Sequence, residues 1–227
     1  MSLIGEIRST LRRFVRNVRH VWTLSDAPDA TQTGVGREGT TSEADDGGDW
    51  EEVWDARAEA LALALGAGHD DVYHAPHPFS LGGQAEVMAF RHHLQGVAYV
   101  TAELTGKPDA SYADYELMIC HRSDQDWGPN AISRLAAYTQ EAYIAAGESM
   151  DIEGTPPDSQ IKALLFDTYG TFTLFGQVNE IRLCIGITKP ELEFKLQHGP
   201  EKLMEFLKRH GVYPFTDLER NTVPLTG

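Results

Sequence analysis

VYHAPHPF at residues 72–79, GQAEVMAF at 83–90, GVAYVTAELTG at 96–106 and YELMIC at 115–120 are the four runs whose reading decides the fold. Each is short and rich in β-branched or aromatic residues, and Gly, Pro, Asp or Gln separates it from the next. Strands joined by turns have this pattern, so residues 72–121 are expected to form a meander. Working outward toward the C-terminus, Ile132, Leu135, Ala136, Tyr138 or Thr139, and Tyr143 recur at helical spacing, which predicts an amphipathic helix over 127–146 closed by Gly147. TPPDS at 155–159 is a loop. IKALLFDTYG (161–170) and TFTLFGQVNEIRLCIGIT (171–188) add two or three strands, the last so apolar that it belongs in the centre of the sheet. KPELEFKLQHG and GPEKLMEFLKRHG are short helices, each ended by a Gly suited to a left-handed cap, and residues 212–225 are extended. Toward the N-terminus, Asp49 is placed to cap a helix whose apolar stripe is Val53, Trp54, Ala58, Leu61 and Leu65. Trp54, Leu61, Phe79, Val87, Phe90, Tyr99, Leu117, Ile119, Leu135, Leu165, Phe172, Leu183, Ile185, Leu203, Phe206 and Leu207 are expected in the core.

The chain of 227 residues is long enough for one large domain with a sizeable core, and it carries a formal charge of −15. That sign disfavours nucleic acid and anionic lipid as partners of the whole surface and favours a basic one. The charge is unevenly spread. Residues 1–24 set Arg8, Arg12, Arg13, Arg16 and Arg19 against apolar residues at three- and four-residue spacing, a basic amphipathic helix that suits a membrane surface, a partner, or packing on its own domain. Residues 25–49, with TQTGVGREGTTSEADDGGD, are an acidic Gly/Ser/Thr linker that cannot bury enough apolar surface to order itself. The remainder, 50–225, reads as one domain. No apolar stretch resembles a signal peptide or a membrane span, so the expected location is the cytoplasm.

Chemistry is harder to find. His69, His74, His77, His92, His93 and His121 crowd the meander, but His74 and His77 are separated by Ala75 and Pro76 in extended chain, and His92 and His93 are adjacent and so face opposite ways in a strand. Cys120 and Cys184 lie in apolar strands as buried thiols. No nucleophile elbow or phosphate loop is present, and Gly82, Gly83 and Gly106 read as turn residues. Glu103 with Glu116 is the one carboxylate pair that invites a general-acid reading, although a salt bridge or hydrogen bond would satisfy each equally.

YHAPHPF, YVTAELTG, YELMIC, the helix opened by Trp127, IGITKPELEF and HGPEKLMEFLKRHGVYPFTDLER occur in the order of the suppressor of fused domain, in the form found in bacterial proteins, which this chain resembles over residues 50–225. The resemblance implies an α+β fold, a mixed and mostly antiparallel sheet flanked by helices, an interaction domain and no cofactor. In animals the family holds a transcription factor of the hedgehog pathway through a short extended peptide; bacterial members are proposed to be immunity proteins that neutralise toxins. Animal members carry a further C-terminal region beyond the part resembled here, so the hedgehog role is not expected to carry over. By position, Glu103, Leu104, Thr105 and Gly106, opposite Glu116, are the partner-binding residues that the resemblance implies. An acidic loop of Glu103, Asp109, Asp114 and Glu116 suits a basic extended segment or toxin domain, with strand addition at an exposed edge supplying affinity. The expected function is thus a non-enzymatic protein-binding domain that sequesters or neutralises a protein partner. The alternative is a metal-dependent hydrolase using His74 and His77, and a third reading tethers the protein to a membrane through residues 1–24.

Overall fold

Strands covered on both faces read as unbroken apolar runs, and the runs above do so because helices lie on either side of the sheet they form. A computed structural model describes residues 47–77, 79–106, 113–152, 156 and 158–226. The chain divides into two units, Met1–Glu52 and Val53–Gly227. The described elements are α1 (Gly47–Leu65), whose first six residues fall in the first unit, β1 (Asp71–Tyr73), a single 3-10 turn (Phe79–Leu81), β2 (Val87–Phe90), β3 (Val97–Thr101), β4 (Tyr115–His121), α2 (Trp127–Tyr138), β5 (Ser149–Asp151), β6 (Ile161–Leu174), β7 (Gln177–Thr188), α3 (Lys189–His198) and α4 (Pro200–Arg209). The expected helix of residues 1–24 and nearly all of the expected linker lie outside the described residues. α1 begins at Gly47, so the last three linker residues are helical and Asp49 is inside the helix. Among the described residues no helix is long and apolar enough to cross a membrane.

The sheet runs β1-β2-β3-β4-β7-β6-β5, antiparallel throughout except where β4 and β7 run parallel. This is the mixed, mostly antiparallel α+β arrangement expected from the sequence. β7 is interior, beside the central strand β4, and its second half is buried without interruption. Alternation sends Met118 and Cys120, with Leu183 and Ile185, to one face, where they meet Leu61 and Leu65 of α1 and Leu203, Phe206 and Leu207 of α4. Ile119 and His121 point to the other face, where α2 crosses β2, β3 and β4.

Two local features depart from simple periodicity. On β6 the register slips between Thr168 (opposite Arg182) and Gly170 (opposite Ile181), leaving Tyr169 as an extra residue. That bulge moves Phe172 and Leu174 onto the same face as Leu165, so one strand of mixed phase feeds one core. β6 and β7 are then joined by Phe175 and Gly176, both at positive φ (49° and 76°), the two-residue turn whose twist suits a hairpin. α2 stops at Tyr138 instead of running to residue 146: the Thr139 hydroxyl donates to the Ala136 carbonyl at 2.6 Å, and Tyr143 is left 45% exposed. A hydroxyl that bonds back to the preceding turn competes with helix propagation.

The core is as expected apart from Trp54, which is only partly buried. Leu183 has no exposed surface, on an interior strand. Leu183→Ala should therefore lower unfolding free energy by about 2–5 kcal/mol in urea titration. A loss below about 1 kcal/mol would mean the surrounding side chains collapse into the space.

Candidate functional site

After Thr101 the chain leaves β3 and turns back on itself over Ala102–Gly106, and the reason is a carboxylate. Glu116 on β4 has no exposed surface. Its Oε2 accepts from the Thr101 hydroxyl at 2.7 Å; its Oε1 accepts from the Thr105 hydroxyl at 2.7 Å and the Thr105 amide at 3.0 Å; the Leu104 amide approaches both oxygens, at 3.1 and 3.3 Å. Thr101 Oγ1 in turn accepts the Leu117 amide at 2.8 Å. Arg57 of α1, also buried, places Nε 3.3 Å from Glu116 Oε1 as an ion pair, while its two terminal nitrogens donate to the carbonyls of Ala102 and Thr105. Burial pushes the Glu116 carboxyl above and the Arg57 guanidinium below their ordinary values, and each is opposed by the charge of the other. Every group facing the carboxylate can donate and the guanidinium has only donors, so the charged pair is the form these contacts favour.

The structure therefore gathers Glu103, Leu104, Thr105, Gly106 and Glu116 in one place, but not as an exposed strand edge. β3 pairs with β2 and β4, and β4 with β3 and β7, so neither has a free edge; the outermost strands are β1 and β5. Leu104, Thr105 and Glu116 are buried. Glu103 is half-buried, accepts the Glu86 amide at 2.8 Å, and has its carboxyl pushed up chiefly by desolvation. Gly106 is exposed at φ 88°, and a Cβ there would stand 2.7 Å from a Leu174 methyl, so this position needs glycine. Asp114 is exposed, and Asp109 lies outside the described residues. Sequence reasoning missed Arg57. The signal available was its place four residues after Val53 and four before Leu61, inside the apolar stripe.

The histidines do not converge. His74 is largely exposed and lies 2.9 Å from Glu86 Oε1; His77 and His92 are exposed. His93 joins two elements, with Nδ1 2.6 Å from the Leu65 carbonyl and Nε2 2.7 Å from the Tyr169 hydroxyl. Among the described residues no three His, Cys, Asp or Glu side chains are grouped to hold a metal ion. Cys120 and Cys184 are buried free thiols whose titration burial pushes up, away from the reactive thiolate. His121 is fully buried and donates from Nδ1 to the Thr216 carbonyl at 2.7 Å. Burial lowers its pKa to about 4 against the help of that bond, and Gly128 fits over it because a Cβ there would stand 2.2 Å from Nε2.

The family model for suppressor of fused protein (SUFU) matches residues 85–221, more than half of the chain. The chain belongs to the suppressor of fused family. Its fold is similar to that of a chain in the Sufu–Fu complex (TM-score 0.61, 12% identity, covering 75% of this chain and 91% of that one). It is similar also to a SUFU homologue from Neisseria gonorrhoeae FA 1090 (0.59, 16%, 78% and 100%) and to Drosophila Suppressor of Fused (0.52, 13%, 64% and 44%). No curated protein matches the sequence. In this member of the family α1, and with it Arg57, precedes the matched residues.

Two outcomes follow from these contacts. Glu116→Gln strands the Arg57 cation and turns an amide toward backbone amides, so it should cost about 3–5 kcal/mol, measured by urea unfolding; a loss under about 1 kcal/mol would contradict the charged pair. His121 resists protonation when folded but not when unfolded, so its contribution is fully present above pH 6.5 and is lost as pH falls toward about 4. The lowered pKa corresponds to roughly 3 kcal/mol. His121→Asn, which keeps a donor toward Thr216, should flatten the stability curve between those pH values. An unchanged slope would show that other groups carry the acid sensitivity.

Proposed function

We propose that this suppressor of fused domain is a non-enzymatic protein-binding domain, working in the cytoplasm, whose binding face is the Ala102–Gly106 loop. The observation that carries the reading is the construction of that loop. A fully buried carboxylate and a buried guanidinium fix its backbone from beneath, and Glu103 and Gly106 remain toward solvent. Such preorganisation lowers the entropy lost on binding. Glu116, Leu104 and Thr105 serve the face from inside, Glu116 as the anchor of the loop and not as a contact. The groups that would do chemistry are either enclosed (Glu116, His121, Cys120, Cys184) or scattered over the surface (His74, His77). One protein of this fold was solved in the Sufu–Fu complex, which supports a protein as the ligand class.

The partner is a basic segment, and a toxin domain neutralised by this chain is the role we favour. Residues 56–227 keep −10 of the formal charge of −15, once +4 is assigned to residues 1–24 and −9 to 25–55. Glu103, half-buried and held by the Glu86 amide, is the acidic anchor. Because β3 and β4 are interior strands and Ala102, Leu104 and Thr105 are buried, affinity comes from the accessible residues Glu103 and Gly106 instead of from a strand added between them.

The test is the association rate of full-length protein with the partner recovered by crosslinking in its own cell. Rates at low and high salt should fall severalfold as salt rises, and Glu103→Gln should slow association and weaken that dependence with little change in dissociation. If neither salt nor the substitution moves the rate, the loop is not the interface.

A further inference from the structure

We infer that Arg57 is the positioning residue of the binding loop, so that docking of α1 and the shape of residues 102–106 are one coupled event. This rests on the loop being the binding face, as proposed above. Ala102, Leu104 and Thr105 are buried, and buried backbone groups need partners. The Ala102 amide donates to the Glu86 carbonyl at 2.9 Å, and four further groups find their partners in two side chains. The carbonyls of Ala102 and Thr105 accept from the two ends of the Arg57 fork, and the amides of Leu104 and Thr105 donate to Glu116, which is itself ion-paired to Arg57. A single guanidinium therefore sets both the distance between two points of the loop and the charge of its anchor. Gly106 closes against the same helix: a Cβ there would lie 3.3 Å from Val53 Cγ1 and 3.4 Å from an Arg57 terminal nitrogen. The family match begins at residue 85, so the determinant of the loop comes from a helix outside the matched residues.

If α1 leaves, two buried carbonyls lose their donor and one buried carboxylate loses its counter-ion together, and the loop cannot keep its form. Linkage makes the relation reciprocal: a ligand that prefers the ordered loop also favours docked α1. Lysine cannot replace Arg57, because a single ammonium cannot reach both carbonyls and the carboxylate in the planar arrangement of a guanidinium.

Amide hydrogen exchange on the full chain, without partner, tests this. Arg57→Lys should speed exchange at Leu104 and Thr105 at least tenfold relative to Leu61→Ala, which loosens the same helix through apolar contacts alone. Arg57→Met combined with Glu116→Met removes both buried charges; its urea midpoint should recover toward wild type while the two loop amides stay fast. If protection at Leu104 and Thr105 simply follows the urea midpoint across the three variants, Arg57 acts on stability only and the inference falls. Since no partner enters the exchange measurement, its failure is distinct from failure of the binding reading. Released loop amides in Arg57→Lys with partner association equal to wild type would count against the loop as the face and leave the clasp in place.

Discussion

A carboxylate with no access to water is the constraint on which this part of the molecule depends. Glu116 sits on an interior strand, so its charge must be balanced by whatever the chain can bring to it. A cation reaches it from α1, and hydrogen-bond donors reach it only because the chain after β3 folds inward instead of continuing the ladder. The turn at residues 102–106, the glycine that closes it and the docking of α1 all follow from this requirement. Replacing such a pair by apolar residues is often neutral or stabilising in other proteins, so its presence here is better explained by the geometry it fixes than by energy alone.

The same device recurs at the other end of the fold. Glu191, buried in the first turn of α3, accepts two 2.6 Å bonds from Arg220, the Thr188 amide at 2.9 Å and the Val223 amide at 2.9 Å. It thereby ties the extended C-terminal residues to the end of β7. Those residues also complete the sheet, with Phe215 bridging to Cys120 and the Thr216 amide donating to the Cys120 carbonyl at 2.7 Å. The apolar sheet supplies the bulk of the burial, whereas bidentate or forked arginine contacts hold the segments that have no regular structure of their own. One of these clasps fixes the tail and the other fixes the loop assigned to binding.

The sequence alone determined the strands, the interior place of β7, the glycine-ended helices and almost the whole core, because those depend on local periodicity and on residues that act alike wherever they stand. The motifs in register also carried the family. Tertiary structure decided the rest. Arg57 lies at a core position of its helix, yet nothing nearby in sequence reveals that its counter-ion is Glu116 on a distant strand. The Tyr169 bulge reverses the phase of β6 midway, which alternation counted along one strand cannot anticipate. Helical spacing continued past Tyr138, but a hydroxyl bonded back to the chain ended α2 there. His92 and His93 lie in the turn between β2 and β3 and not in a strand, and Glu116 was turned from an apparent surface anion into an internal anchor. The end of α2 is set by a bond three residues long; in the other cases the deciding energy belongs to a contact between remote residues, or to burial that exists only once the layers have packed.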